Sequence, residues 1–234
     1  MLFYGLNFND FTDKVLFMFG IENYIGFIIA AILLNLTPGT DSIYIITRSI
    51  SQGQQAGLYS VLGITSGILV HTLLAALGLS VLLANSPTAF MIVKYLGASY
   101  LCYLGFKMLT SKQQPLLANN LAENETLATA KFTNHWQIYK QGVLTNVFNP
   151  KVALFFLAFF PQFIDTHYAY SMLSFLVLGL SFATTGFIWC LCLALLAARF
   201  SEKLRAHPTF ESVLNKISGV VFIGLGIKLL TEKG

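Results

Sequence analysis

Asn35-Leu36-Thr37-Pro38-Gly39-Thr40-Asp41 and Asn146-Val147-Phe148-Asn149-Pro150-Lys151 are the two stretches that decide how this 234-residue sequence folds. Each sets a proline, asparagine and one charged side chain inside a long apolar run. Proline removes a backbone donor and clashes with the carbonyl one turn back, so each run predicts a helix broken near its middle. Gly39 adds backbone freedom beside the first break.

The surroundings say which solvent those helices meet. Hydrophobic residues make up 56% of the sequence and charged ones only 10%, and mean hydropathy is +0.69. A water-soluble domain carries about 25% charge, so a soluble globular protein is excluded and a bilayer is implied. At about 20 apolar residues per span, the length suits five to seven helices. In hydrocarbon the carbonyls freed by Pro38 and Pro150 must face protein or a wet cavity. The +4 net charge comes from basic residues beside apolar spans rather than in a patch, so no nucleic-acid partner is expected.

Charges punctuate six spans, and the expected fold is an all-α membrane protein of six transmembrane helices. The first starts after Glu22 and breaks before Asp41; the second covers about 57–84, with only His71 ionisable. The third covers about 89–110, with Lys94 and Lys107 placed to snorkel. A polar stretch at about 111–140, holding Glu123, Glu125 and Lys131, reads as one extended loop. Spans at about 141–163, 169–198 and 213–230 follow. Residues 1–22 read as a tail or interfacial segment, with Asp10 and Asp13 ahead of Lys14, the wrong charge for a secretory signal peptide. Residues 23–234 read as one membrane domain.

Nine basic residues, including Arg48, Lys107, Lys140, Arg199 and Lys216, fall on one side of these spans and four on the other. By the positive-inside rule the richer side is cytoplasmic, and both termini point outward.

An internal repeat underlies the spans. Leu104-Gly105-Phe106-Lys107-Met108-Leu109-Thr110-Ser111-Lys112 matches Leu225-Gly226-Ile227-Lys228-Leu229-Leu230-Thr231-Glu232-Lys233 at six of nine positions. Together with the two breaks, this gives one repeat at about 23–112, a cytoplasmic loop at about 113–138 and a second repeat at about 139–234. Three spans per half is odd, so the halves insert with opposite orientation. Inverted repeats with discontinuous helices at matching places mark secondary transporters.

Asp41 and Lys151 are the carboxylate and ammonium placed well inside spans. Each costs about 2.5–3.5 kcal/mol to insert alone, so an Asp41–Lys151 pair across the breaks is expected. The alternative is that Asp41 caps the resuming helix and Lys151 snorkels. His71 shares a face with Gly63, Gly67 and Ala75, a small surface that packs on another helix. There it is either an interior hydrogen-bonder or, with its near-neutral intrinsic pKa, a proton carrier.

Cys102, Cys190 and Cys192 lie in apolar stretches with no disulfide or zinc spacing and read as packing residues. No Walker-type loop, HExxH or GxSxG occurs, and His135, His167 and His207 are too scattered for a metal cluster. Neither a cofactor nor a resident metal is therefore expected. An intramembrane enzyme using His71 and Asp41, or a metal or inorganic-ion exporter in which the cysteines converge on His71, are the competing readings.

Leu36-Thr37-Pro38-Gly39-Thr40-Asp41, Gly53-Gln54-Gln55-Ala56-Gly57, Thr145 to Lys151 and Phe159-Phe160-Pro161-Gln162-Phe163 together resemble the LysE/RhtB family of bacterial amino-acid exporters. The similarity runs from about Ile25 to the C-terminus. It implies a six-helix inner-membrane protein that exports homoserine, threonine, leucine, lysine or analogues, driven by the proton-motive force and commonly dimeric. The family often has a second proline where this chain has Thr40.

The expected substrate-binding or coupling set is Asn35, Pro38, Gly39, Thr40, Asp41, His71, Asn146, Asn149, Pro150 and Lys151. In it, half-helix N-termini and Lys151 attract a carboxylate, while Asp41 and freed carbonyls receive an ammonium. Protonation of Asp41 or His71 supplies the coupling.

Overall fold

The computed structural model describes residues 19–110, 134–165 and 171–199, with isolated positions between 216 and 227. Among these, every regular element is a helix. Most of the N-terminal segment, most of the long loop and most of the sixth span lie outside the described residues, as do the last two positions of the matched 104–112 stretch and most of its 225–233 counterpart.

The first span is two helices. Asn23 caps α1 (Tyr24–Leu36), its side chain accepting from the Gly26 amide at 3.3 Å. Pro38 then bars Thr37 from helical ψ, and Thr37 turns extended at ψ 121°. After Gly39, α2 (Thr40–Gln52) resumes at 50° to α1. It ends at Gly53, whose φ of 84° favours a residue without Cβ.

The apolar run that follows forms α3 (Gln54–Leu74), a π turn at Ala75–Leu79 and α4 (Ser80–Asn85). Pro87 opens α5 (Pro87–Thr110), where its missing N–H costs nothing. Asn134 caps α6 (His135–Val147). Residues 135–140, expected in the loop, are helical because that cap starts the turn ahead of the apolar run. Asn149 caps α7 (Pro150–Ala158) and Pro150 takes its first position. Together with the 3-10 turn Phe160–Phe163, α7 is bent 50° from α6. α8 (Ser171–Arg199) is unbroken.

Two helices, Gln54–Leu82 and Met172–Ala197, are long and apolar enough to cross a membrane, and each bent pair passes the same test as one span. At 24 residues α5 has the length to cross a core of about 30 Å. Both expected breaks are present.

α3 sits between α6 and α8 because glycines let the backbones meet. A Cβ on Gly63 would fall 2.3 Å from the Tyr139 carbonyl oxygen, and one on Gly179 would fall 2.2 Å from the Thr72 side chain. Lipid is as apolar as leucine, so such close packing, rather than burial from water, joins membrane helices. Outward-facing Leu62, Leu73, Leu77, Leu96 and Leu180 remain exposed, as a lipid-facing surface requires. One part of the core is aromatic: Phe155 stacks on Phe159 and Phe156 on Phe160, with Phe27 edge-on to Phe160 and Phe182 tilted against Phe155, centroids as close as 4.1 Å. Residues 20–22 seal the edge of this aromatic core, Ile21 bridging Ile164 and the Glu22 amide donating to the Phe163 carbonyl at 2.8 Å.

Arg48 departs from its expected place in a loop. It lies in α2, 1% exposed, and donates through Nη2 to Gln141 Oε1 at 2.6 Å. Its helix continues past the charge because Gln141 and the Tyr44 ring, 5.6 Å away, receive it inside the bundle.

Candidate functional site

The two breaks meet. Pro150 has no N–H to give the Asn146 carbonyl four residues back, so that carbonyl turns to other donors. The Asn149 amide reaches it at 2.9 Å and His71 Nε2 at 3.2 Å. A carbonyl only accepts, so His71 carries its proton on Nε2 here. The Asn146 side chain donates to Asp41 Oδ2 at 2.8 Å. One asparagine thus connects His71 on α3 to Asp41 on α2.

Lys151, in the first turn of α7, reaches back to the other break and donates from Nζ to the Thr37 carbonyl at 2.8 Å. Its side chain runs past Gly39, where a Cβ would be in ordinary contact with Lys151 Nζ at 3.4 Å. Asp41 and Lys151 therefore face one cavity, each hydrogen-bonded to a different group rather than paired directly. The expected direct pair gives way because each charge finds a nearer partner at the opposite break: the Asn146 side-chain amide for Asp41 and the Thr37 carbonyl for Lys151.

The breaks also share a way of seating their asparagines. Asn35 donates to Thr185 Oγ1 of α8 at 3.1 Å beside Gly186, where a Cβ would lie 3.3 Å from Asn35 Oδ1. Asn146 sits beside Gly67 of α3, where a Cβ would lie 2.6 Å from its own. In each half, a whole helix presents a glycine to the break asparagine of the other half.

The cavity is lined by Asn35, Gly39, Asp41 and Lys151 of the expected set. Its volume is about 20 Å³, room for about one water. Asn146 and His71 support Asp41 from behind, and Asn149 acts by accepting from the Lys151 amide at 3.0 Å. Thr40 is exposed and lies outside the lining. Pro38 and Pro150 shape the breaks without lining the cavity.

Sequence reasoning missed Ser42, Trp189 and Cys190, and the apolar side chains Leu34, Ile64, Ile68, Val152 and Phe182. The α8 members were detectable: Phe182, Thr185, Gly186, Trp189 and Cys190 recur at helical spacing on one face. Three buried polar atoms at or behind the cavity wall make no hydrogen bond among the described residues: Asp41 Oδ1, Asn146 Oδ1 and Trp189 Nε1. A ligand with a cationic and an anionic end would satisfy them. Among the described residues, no three His, Cys, Asp or Glu side chains come together as a metal site requires.

Known proteins resemble this one over most of its length. The chain is 30% identical over 207 residues to an uncharacterized membrane protein of Bacillus subtilis, covering 88% of this chain and 98% of that one. It is 32% identical over 212 residues to an uncharacterized membrane protein of Pseudomonas aeruginosa, covering 91% and 96%. It is 29% identical over 213 residues to the leucine efflux protein of Salmonella typhimurium, covering 91% and 97%. No solved structure matches it. The family model for LysE type translocators matches residues 32–233, and the chain belongs to that family.

Proposed function

We propose that this protein is a secondary transporter exporting small amino acids of the homoserine, threonine, leucine and lysine type, by proton antiport, across the bacterial inner membrane. The observation that carries this is one cavity at two proline breaks, with a carboxylate from one and an ammonium from the other. A zwitterion matches that arrangement. Its ammonium goes to the free oxygen of Asp41, and its carboxylate to the Lys151 end. Leu34, Ile64, Ile68, Val152 and Phe182 suit an aliphatic side chain, in keeping with the name of the Salmonella relative.

Coupling follows from the contacts of Asp41. A proton on its carboxylate removes the charge that holds the substrate ammonium. The link through Asn146 makes the state of His71 felt at Asp41. Cargo larger than a water requires the cavity to widen, and rocking of two inverted three-helix repeats is the motion that widens it on alternate sides. The matched seating of Asn35 and Asn146 supports that repeat, as do the equal 50° bends. Both termini face outward in this arrangement, and a homodimer is its working form.

The test is efflux of radiolabelled leucine, threonine, homoserine and lysine from preloaded proteoliposomes under an imposed proton gradient, acid outside, with and without an uncoupler. At least one amino acid should leave faster than from protein-free vesicles, and the uncoupler should slow it. No amino acid leaving faster than control would overturn the proposal.

A further inference from the structure

We infer that the Trp189 indole N–H is the donor that binds the substrate carboxylate, so that cargo must carry a free carboxylate. This deepens the amino-acid reading of the cavity and rests on it.

Trp189 lies on α8, on the face that also presents Phe182, Gly186 and Cys190. An indole N–H is a donor only, and leaving one buried without an acceptor costs free energy. Tryptophans of membrane proteins ordinarily spend that donor at the lipid headgroups. Trp189 instead lines the cavity that Lys151 and Asp41 also line, and its Nε1 is buried with no acceptor among the described residues. Phenylalanine fills almost the same space without that cost. What the indole adds is one donor.

The other unsatisfied atoms give the site a polarity. Asp41 Oδ1 and Asn146 Oδ1, held by the α2 and α6 sides, are acceptors. Trp189 Nε1 and the Lys151 ammonium, from α8 and α7, are donors. An α-amino acid has one group for each set and binds in one orientation. An amine or an amino-acid amide has no anion for the donors. The position of Trp189 on an unbroken helix fixes its direction more firmly than a residue in a break would be fixed.

The chain has two tryptophans, and Trp136 is 57% exposed at the start of α6, stacked on Tyr139. W136F therefore leaves Trp189 as the sole emitter. Purified W136F protein would be titrated with whichever of leucine, threonine, homoserine and lysine is exported fastest, and with the corresponding amide. The amino acid should shift the emission saturably and the amide should not. W189F should raise KM for that amino acid roughly ten- to hundredfold and keep the maximal rate within about twofold. Intact export with no emission shift in W136F, or an unchanged KM in W189F, overturns the assignment and leaves the exporter standing. An equal response to the amide also overturns it. Absence of export by the unmodified protein overturns the exporter reading instead.

Discussion

Asn146 holds two polar partners: its main-chain carbonyl accepts from His71 and its side-chain amide donates to Asp41. Asn146→Leu keeps the volume but removes the donor, leaving a carboxylate oxygen buried without a partner. The expected cost is about 1–3 kcal/mol, read as a lower thermal midpoint in detergent, with efflux abolished. A midpoint equal to the unmodified protein would mean that the amide contact is dispensable. Asp41 and Lys151 call for a different measurement. Opposite charges 4 Å apart interact by about 4 kcal/mol at an effective dielectric near 20. Here each is bonded to another group first, so a stability cycle on Asp41→Asn and Lys151→Met should give a coupling of about 1–2 kcal/mol. Additivity within about 0.5 kcal/mol would show that the two charges do not sense each other across the cavity.

Helix breaks and glycine contacts are properties of elements, and they differ in how far the sequence reveals them. The prolines announced both breaks because a missing N–H acts on the residue four back, within one helix. Pro150→Ala should return an amide to the Asn146 carbonyl, displace His71 from it and reduce the 50° bend between α6 and α7. Membrane expression should persist while efflux falls below a tenth of the unmodified rate; full efflux would make the bend irrelevant. The burial of Arg48 was hidden because its acceptor, Gln141, lies 93 residues away in the other half. Trp189 was legible as a member of one helical face, but an apolar run does not say which of its faces borders a cavity. The face of Gly63, Gly67 and His71 was legible, since four-residue spacing of small side chains predicts a helix contact, and α6 supplies it. That contact gives a sharp comparison. Gly63→Ala drives a Cβ against a backbone carbonyl, whereas Gly78→Ala meets nothing within 4 Å. The first should destabilise by about 1–3 kcal/mol and the second by less than about 0.5 kcal/mol, compared by thermal unfolding. Equal losses would mean that α3 and α6 separate more easily than their spacing implies.

At the scale of the whole molecule, the cavity and its walls must change places with water on each side. The described conformer gives about 20 Å³ at the breaks, a closed arrangement in which an amino acid has no room. Packed interfaces switch between discrete arrangements rather than stretching, so opening should come as a shift of one half against the other, and the cavity wall should then be wetted. Cys190 reports on this directly, because it is buried in the lining beside Trp189. Replacing Cys102 and Cys192, which do not line the cavity, by serine leaves one thiol in the described path. In proteoliposomes, a membrane-impermeant thiol reagent should modify Cys190 slowly at rest. A substrate gradient should raise the rate, because turnover opens the cavity, and saturating substrate on both sides should lower it by occupying the site. Reagent trapped inside and reagent added outside should both succeed during turnover, since a carrier exposes the same wall alternately. Modification from one side only would mean that Cys190 lies in a dead-end crevice, and that the amino acid crosses the bundle elsewhere.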